Sequence, residues 1–264
     1  MDMIVVAILS VTAIGVSCAV VLSIASKVMA VKTDPRLRQM LDCLPGVSCG
    51  ACGYPGCEGY ADALLSDPDV KTNLCPPGGV AVAERLSEIL GVAAEAMERE
   101  IAIVRCMGSR DAVQKKMDYE GIRSCKAARQ LFGGANACAF GCLGYGDCHP
   151  VCPSDAVCME NGLARINPEL CTGCKLCVSV CPTKIITMEP VSATTFVLCC
   201  NLEKGAVARK KCTHACIACT KCVRKCPEGA VVIEENLAKI DDAKCTDCGV
   251  CVEVCVTHCI QKRV

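Results

Sequence analysis

Residues 171–182 read CTGCKLCVSVCP and residues 216–227 read CIACTKCVRKCP. Both stretches follow the spacing C-x2-C-x2-C-x3-C-P, which presents cysteine thiolates to iron–sulfur clusters. A third stretch, CTDCGVCVEVCV at 245–256, keeps the four cysteines and has Val256 where the proline would stand. The proline shapes the turn and binds no metal, so the three stretches predict three cluster-binding loops.

The loops are organised in pairs. Eighteen residues separate Cys152 from Cys171, and eighteen separate Cys226 from Cys245. Each gap, at 156–170 and 229–243, holds an apolar stretch, a turn and a second apolar stretch, which predicts a strand–turn–strand element between two loops. This is the plan of a two-cluster ferredoxin module, and the body carries two such modules in tandem.

In a two-cluster module, the last cysteine of each run ligates the cluster of the other run. This rule assigns three [4Fe-4S] sites. They are Cys171, Cys174 and Cys177 with Cys152; Cys216, Cys219 and Cys222 with Cys255; and Cys245, Cys248 and Cys251 with Cys226.

The motif that opens the first module, CAFGCLGYGDCHPVCP at 138–153, lacks one ligand because Tyr145 replaces the second cysteine of the run. Alignment with CTHACIACTKCVRKCP at 212–227 places Cys138 over Cys212. We therefore expect Cys138 to supply the missing thiolate to a fourth site, which also contains Cys142, Cys148 and Cys181.

A fifth group stands ahead of the modules, in CLPGVSCGACGYPGCEGYADALL at 43–65 and NLCPPGG at 73–79. The spacing C-x2-C-x4-C-x17-C predicts a four-thiolate site, and its glycines allow the backbone to wrap closely around a bulky group. Its ligands are Cys49, Cys52, Cys57 and Cys75. Helices are predicted at 58–65 and 80–90, and a strand at 100–105.

Composition supports metal clusters as the source of stability. The chain has 264 residues, of which 29 are cysteines, with no Trp, three Phe and four Tyr, so aromatic packing is scarce. The cysteines are too dense and regular for pairwise disulfides, which favours ligation in a reducing compartment. Zinc is the alternative metal, but the three histidines have no ligand-like spacing. The net charge is zero, and there is no basic, aromatic-rich stripe of the kind that binds nucleic acid.

The five sites use 20 of the cysteines and leave nine unassigned. Four of these nine stand upstream of the cysteine runs, two in each module, and suggest a sixth cluster. They are Cys106, Cys125, Cys200 and Cys212. The alternative is that they are buried thiols or neighbours that tune a cluster.

Residues 3–26 carry no charge. As a helix they would be roughly 36 Å long at about 1.5 Å per residue, enough for a hydrocarbon layer of about 30 Å. A signal peptide or a lipoprotein signal ending at Cys18 would need a positive amino terminus, yet the charge there is Asp2. Lys27, Lys32, Arg36 and Arg38 follow the segment, which predicts a single-pass protein of the bacterial inner membrane with its bulk in the cytoplasm.

The predicted fold class is therefore a single amino-terminal transmembrane helix, a small four-Cys iron–sulfur domain and two tandem α+β ferredoxin-like modules. The predicted boundaries are 1–30 for the anchor, 31–79 for the four-Cys domain, 80–100 for a helical linker, 101–190 for module 1 and 191–264 for module 2.

The order of these features resembles the B subunit of the Rnf complex. The resemblance rests on SCGACGYPGC at 48–57, NLCPPGG at 73–79, GCLGYGDC at 141–148 and GAVARKKC at 205–212, together with the amino-terminal span. Ala51, Ala218 and Val256 depart from the pattern and remove no ligand.

The resemblance implies a membrane complex that oxidises reduced ferredoxin, reduces NAD and translocates sodium or protons. The chain would accept electrons from soluble ferredoxin and relay them to membrane-embedded and flavin-carrying subunits. It has no G-x-G-x-x-G or P-loop motif, so we expect no nucleotide site in this chain. Other hypotheses are a membrane-tethered iron–sulfur regulator or cluster-assembly scaffold, and a zinc-binding structural protein.

Overall fold

The computed structural model describes residues 2–28, 34–94 and 98–263. The chain divides into two compact units, Met1–Gln39 and Met40–Val264. The second unit contains the segments that the sequence divides at 79, 100 and 190, and those internal boundaries remain predictions.

The first unit contains helix α1 (Asp2–Val28). Its segment Val5–Lys27 has a mean hydropathy of 2.6 and is long and apolar enough to cross a membrane. The hydroxyls of Ser10, Thr12 and Ser17 donate to carbonyls three or four residues earlier, so these polar groups are satisfied within the helix. Lys32, one of the predicted flanking charges, lies outside the described residues.

Three further helices precede the modules. They are α2 (Pro35–Cys43), α3 (Gly56–Ser66) and α4 (Gly79–Leu90). The predicted helices at 58–65 and 80–90 are confirmed by α3 and α4. Helix α4 ends at Gly91, whose left-handed φ of 71° lets its N–H bond the last carbonyls of the helix.

Each module is built from two antiparallel strand pairs. In module 1, β1 (Glu100–Val104) pairs with β4 (Ile186–Pro190), and β2 (Val157–Glu160) pairs with β3 (Leu163–Ile166). In module 2, β5 (Thr195–Val197) pairs with β8 (Ile260–Lys262), and β6 (Val231–Glu234) pairs with β7 (Leu237–Ile240). The two predicted strand–turn–strand elements are the hairpins β2–β3 and β6–β7.

Short helices complete the modules: α5 (Cys125–Gln130), α6 (Leu176–Val180), α7 (Gly205–Lys211), α8 (Lys221–Lys225) and α9 (Val250–Glu253). Buried residues form one core in each module. The core of module 2 also includes Ala112, Val113 and Cys138 from module 1. The two modules are therefore interlocked by packing.

Candidate iron–sulfur centres

The four-Cys segment gathers its cysteines around Cys75. Burial raises the pKa of the Cys75 thiol, and the charges of Cys57, Cys52 and Cys49 act in the same direction. The loop before Cys75 is fixed by buried Tyr60, whose hydroxyl donates to Lys71 O at 2.7 Å and accepts from Leu74 N at 3.3 Å.

The first complete group of module 1 lines one cavity, which is walled by Cys152, Cys171, Cys174 and Cys177. Burial raises the pKa of Cys177 to about 12, with added contributions from its three cysteine neighbours. The N–H of Ala102, in strand β1, donates to Cys171 Sγ at 3.4 Å. The structure thus brings Cys152 to the loop that the two-cluster rule assigns to it.

Module 2 repeats this exchange in both directions. The charges of Cys216, Cys219 and Cys255 act on the Cys222 thiol, and those of Cys245, Cys226 and Cys248 act on Cys251. Burial is the largest cause of the raised pKa in both thiols. Most sulfurs of these groups are buried or half-buried, whereas Cys248 is exposed.

A left-handed residue turns the chain in each of these loops. Lys175, Thr220 and Gly249 follow the second cysteine of their runs and have φ values of 63°, 61° and 79°. A short helix then begins and carries the third cysteine of the run. Gly146, which follows Tyr145, has a φ of 83°, so the opening loop keeps this turn although Tyr145 replaces the cysteine.

Beside the opening motif, the structure groups a different set of cysteines from the one that the sequence predicts. The cavity beside this loop is walled by Cys125, Cys142, Cys148 and Cys181. Burial raises the pKa of Cys148 to about 12, and the charges of Cys142, Cys125 and Cys181 contribute. Cys138 lies instead at a different cavity. Cys125 therefore occupies the place that the sequence assigned to Cys138.

Asp147 holds Cys125 in this position. Its carboxylate accepts from the N–H of Cys125 at 2.9 Å, the N–H of Lys126 at 3.0 Å and the hydroxyl of Ser124 at 2.8 Å. Burial would raise the pKa of Asp147, but these hydrogen bonds prevail and lower it. The residue before Cys148 thus anchors the start of α5, which carries Cys125.

Sequence reasoning assigned Cys125 to the expected sixth site and not to the opening group, because Cys125 stands 17 residues before Cys142 and has no ligand-like spacing to it. The sequence contained one signal against Cys138 as a ligand of the opening group. The alignment of the modules pairs Cys138 with Cys212, and the cluster sets of module 2 leave Cys212 unused. Equivalent positions in a repeat are expected to have equivalent roles, which would have removed Cys138 from the opening group.

The residues of the expected sixth site divide between two places. Cys106, Cys200 and Cys212 line the cavity that Cys138 faces, whereas Cys125 lies with the opening group. Cys199 also lines the cavity that Cys138 faces. Spacing alone offers no reason to choose Cys199 over its neighbour Cys200.

Cys259 is a further buried thiol beside a cluster group. Its Sγ lies 3.6 Å from Cys255 Sγ. Hydrogen bonds with Cys216 and Cys255 raise the pKa of Cys259, and the bond from Cys259 lowers the pKa of Cys216 to about 6 and that of Cys255 to about 4.

The cysteine groups suit iron–sulfur cubanes. Within 2–28, 34–94 and 98–263, no three Cys, His, Asp or Glu side chains converge closely enough to hold one metal ion. The thiols are instead spread over the walls of cavities whose other linings are mainly apolar. This all-thiol arrangement fits [4Fe-4S] clusters, which bind one cysteine per iron.

Comparisons with family models agree with this chemistry. Residues 44–77 match a putative Fe–S cluster model, residues 164–187 a 4Fe-4S binding domain and residues 215–259 a 4Fe-4S dicluster domain. The fold and these matches define an iron–sulfur protein that carries several [4Fe-4S] clusters.

Curated relatives cover nearly the whole chain. The B subunit of the Na⁺-translocating ferredoxin:NAD⁺ oxidoreductase complex of Acetobacterium woodii is 40% identical over 92% of this chain and 73% of the relative. The B subunit of the ion-translocating oxidoreductase complex of Methanosarcina acetivorans is 36% identical over 95% of each chain. The B subunit of the proton-translocating ferredoxin:NAD⁺ oxidoreductase complex of Clostridium ljungdahlii is 39% identical over 96% and 90%.

The chain belongs to the family formed by the B subunits of Rnf, or ion-translocating oxidoreductase, complexes. It is an iron–sulfur electron-transfer subunit whose partners are the other subunits of that complex. The candidate membrane helix and the family membership together indicate association with the membrane.

The Asp147 anchor makes a testable prediction. Asp147→Ala removes the acceptor for Ser124, Cys125 and Lys126, so we expect a loss of about 1–2 kcal/mol in unfolding free energy, as for other helix caps. Iron should also be lost more readily to a chelator. Denaturation and chelation assays measure both effects, with exposed Asp118→Ala as the control. Equal behaviour of the two variants would contradict the anchoring role.

Proposed function

We propose that the chain holds at least five [4Fe-4S] clusters and relays electrons from reduced soluble ferredoxin into the complex. Four ligand sets follow the sequence prediction, and in the opening set Cys125 replaces Cys138. The sets are Cys49, Cys52, Cys57 and Cys75; Cys125, Cys142, Cys148 and Cys181; Cys152, Cys171, Cys174 and Cys177; Cys216, Cys219, Cys222 and Cys255; and Cys226, Cys245, Cys248 and Cys251.

The observation that carries the relay proposal is the close succession of these groups. Cys49 of the four-Cys group is near enough to Cys174 of module 1 for their charges to interact. Within each module, the exchanged fourth cysteine ties one group to the next, as Cys152 does four residues after Cys148. Such clusters supply one-electron redox chemistry, and neighbouring sites allow the electron to move between them.

The side chains around the exposed end of module 2 favour an acidic redox partner. Lys221, Arg224 and Lys225 are exposed on α8, the helix that carries Cys222. With Glu253 and His258 they line an open groove that reaches Cys255. Three cations against one carboxylate suit a soluble ferredoxin that presents acidic side chains around its own cluster.

The membrane side is proposed from the charges that flank α1. Lys27, Arg36 and Arg38 favour the cytoplasmic side for the residues that follow, because the positive-inside rule counts Lys and Arg. Arg36 binds Asp34 at 2.7 Å, but acidic residues contribute little to this rule. This supports the proposal that the ferredoxin-binding end lies in the cytoplasm at the bacterial inner membrane, where soluble ferredoxin is available.

The relay leaves the remaining reactions to other subunits. NAD reduction and ion translocation would take place in the flavin-carrying and membrane-embedded partners, whose enzyme activity this chain serves. The alternative is a membrane-tethered iron–sulfur regulator or assembly scaffold. Rapid re-oxidation of the reduced chain by its partner subunits supports the relay, whereas transfer of intact clusters to an apo-acceptor protein would reject it.

The opening set is tested by Cys125→Ala. We expect the variant to lose about four irons per chain, because it removes the third thiolate of one cubane. Anaerobic purification followed by iron and sulfide analysis measures the loss, with exposed Cys158→Ala as the control. Unchanged iron in Cys125→Ala would refute the assignment, and zinc in place of iron would refute all five sets.

The docking surface is tested by reversing its charge. In Lys221→Glu/Arg224→Glu, reduction by soluble ferredoxin should slow by about tenfold or more at low ionic strength, because opposite-charge steering is lost. The difference should shrink as salt screens the charges. Stopped-flow absorbance measures the rate, with dithionite reduction as the control for intact clusters. Arg209→Glu/Lys210→Glu on α7 is the matched charge reversal, and equal slowing there would contradict docking at α8.

A further inference from the structure

A cavity at the junction of the two modules is lined by four cysteines that the five proposed sets leave unused, together with Cys142 of the opening set and Cys200. The four are Cys106 and Cys138 from module 1 and Cys199 and Cys212 from module 2. All four thiols are buried, with 7–8% of each residue exposed. The remaining wall is mainly apolar and includes Phe140 and Leu198.

The four cysteines form two equivalent pairs. Cys106 follows strand β1 by two residues, and Cys199 follows β5 by two residues. Cys106 Sγ accepts from the N–H of Gly108 at 3.3 Å and of Cys142 at 3.4 Å. Cys199 Sγ accepts from Asn201 N at 3.5 Å and Cys216 N at 3.3 Å.

The second pair follows the same symmetry. Cys138 stands four residues before Cys142, and Cys212 stands four residues before Cys216. The side-chain Nδ2 of Asn201 also approaches Cys138 Sγ at 3.6 Å, so one residue of module 2 contacts sulfurs of both modules. An approximate twofold relation therefore places one pair of thiols from each module around the cavity.

One backbone segment fixes both members of the second pair. Thr213 N–H donates to Ala112 O at 2.9 Å, which holds the chain beside Cys212. Ala137 N–H donates to Gln114 O at 2.7 Å, which holds the chain beside Cys138. The segment 112–114 thus sets the position of a cysteine from each module before any metal binds.

Two glycines lie beside the sulfurs, at distances where an added Cβ would be in ordinary van der Waals contact with them. A Cβ at Gly108 would lie 3.4 Å from Cys106 Sγ and 3.8 Å from Cys212 Sγ, so sulfurs of the two modules flank one residue. A Cβ at Gly141 would lie 3.4 Å from Cys106 Sγ and 3.7 Å from Cys138 Sγ. His214 also lines the cavity, but its Nδ1 contacts Thr257 O at 3.0 Å.

We infer that Cys106, Cys138, Cys199 and Cys212 hold a sixth [4Fe-4S] cluster that joins the two modules. The set differs from the sequence expectation, since Cys138 and Cys199 replace Cys125 and Cys200. The inference rests on the proposed relay for its role, because the site contacts one proposed group on each side. Cys106 accepts from the N–H of Cys142, and Cys199 accepts from the N–H of Cys216.

The junction site would complete a continuous series. The four-Cys group is followed by the two groups of module 1, the junction and the two groups of module 2. An electron that enters at either module could then reach the other without leaving the protein. Each cluster accepts one electron and passes it on, so the site returns to its starting state.

Combined substitutions test the site. Wild-type protein should contain about 24 irons per chain, and Cys125→Ala and Cys138→Ala should each contain about 20. The double variant should contain about 16, because the two cysteines serve different clusters. If both served one cluster, the double variant would lose no more iron than either single variant, and the inference would be overturned.

Further variants separate ligands from neighbours. Cys212→Ser, from module 2, should lose the same cluster as Cys138→Ala and provides a second variant if the alanine protein folds poorly. Cys200→Ala should keep all its iron, whereas Cys199→Ala should lose about four atoms. The reverse result for Cys199 and Cys200 would overturn this ligand set.

An electron count distinguishes failure of this inference from failure of the relay. Reductive titration of Cys138→Ala should take up one electron fewer per chain than the wild type. A wild-type content of about 20 irons, unchanged in Cys138→Ala, would overturn the junction site and leave the five proposed sets intact.

A different observation concerns Cys259. The fourth residue after the last cysteine of each run is buried, and in the other three runs it is apolar: Ala156, Ile185 and Ala230. Here it is Cys259, whose Sγ lies 3.6 Å from Cys255 Sγ. We propose that Cys259 is a tuning residue that donates S–H to Cys255 and raises the reduction potential of that cluster, since hydrogen bonds to cluster sulfurs set the potential.

Cys259→Ala tests this role and copies the residue found in two of the other runs. The variant should keep its iron content, while one cluster should have a more negative midpoint in an anaerobic redox titration followed by electron paramagnetic resonance. Loss of about four irons would identify Cys259 as a ligand and overturn the proposal. An unchanged midpoint would also overturn it. Cys158→Ala, in the exposed part of β2, is the control.

Discussion

The exchange of the fourth cysteine between neighbouring loops is the constraint on which the body of the protein depends. In the proposed ligand sets, each intact run places three thiols around one site and sends the fourth to the adjacent site, so neither site is complete without the other loop. Pairs of short strands can do little to hold such loops, since none of the eight strands within residues 2–28, 34–94 and 98–263 exceeds five residues. Metal ligation would therefore contribute directly to folding, and removal of iron would remove long-range connections that add to the strand pairs and the core of each module.

The repeat shows how the same loop backbone accommodates either a cysteine or a tyrosine at its second ligand position. Gly146 keeps the left-handed turn found in the other runs, although Tyr145 has replaced the cysteine before it. In the proposed opening set, Cys125 supplies the lost thiol, and Asp147 holds Cys125 from the same loop. This change of ligand would leave the loop backbone intact, and the missing thiol would come from the start of helix α5.

Much of this architecture could be predicted from local patterns. The runs, the hairpins β2–β3 and β6–β7, the helices α3 and α4 and the apolar amino-terminal segment each have a spacing or periodicity that can be read within a few residues. The choice between Cys125 and Cys138 could not be made this way, because it depends on hydrogen bonds between α5 and the loop around Asp147. The roles of Cys199 and Cys200 likewise depend on which way adjacent side chains point, which spacing alone does not determine.

The exposure of Cys248 has a consequence for the lifetime of the protein. A thiolate in contact with water is within reach of dissolved oxygen and peroxide, whereas the sulfurs at the junction of the modules are shielded by their surroundings. Oxidation of this protein is therefore expected to begin at Cys248 rather than at the buried sulfurs of the junction.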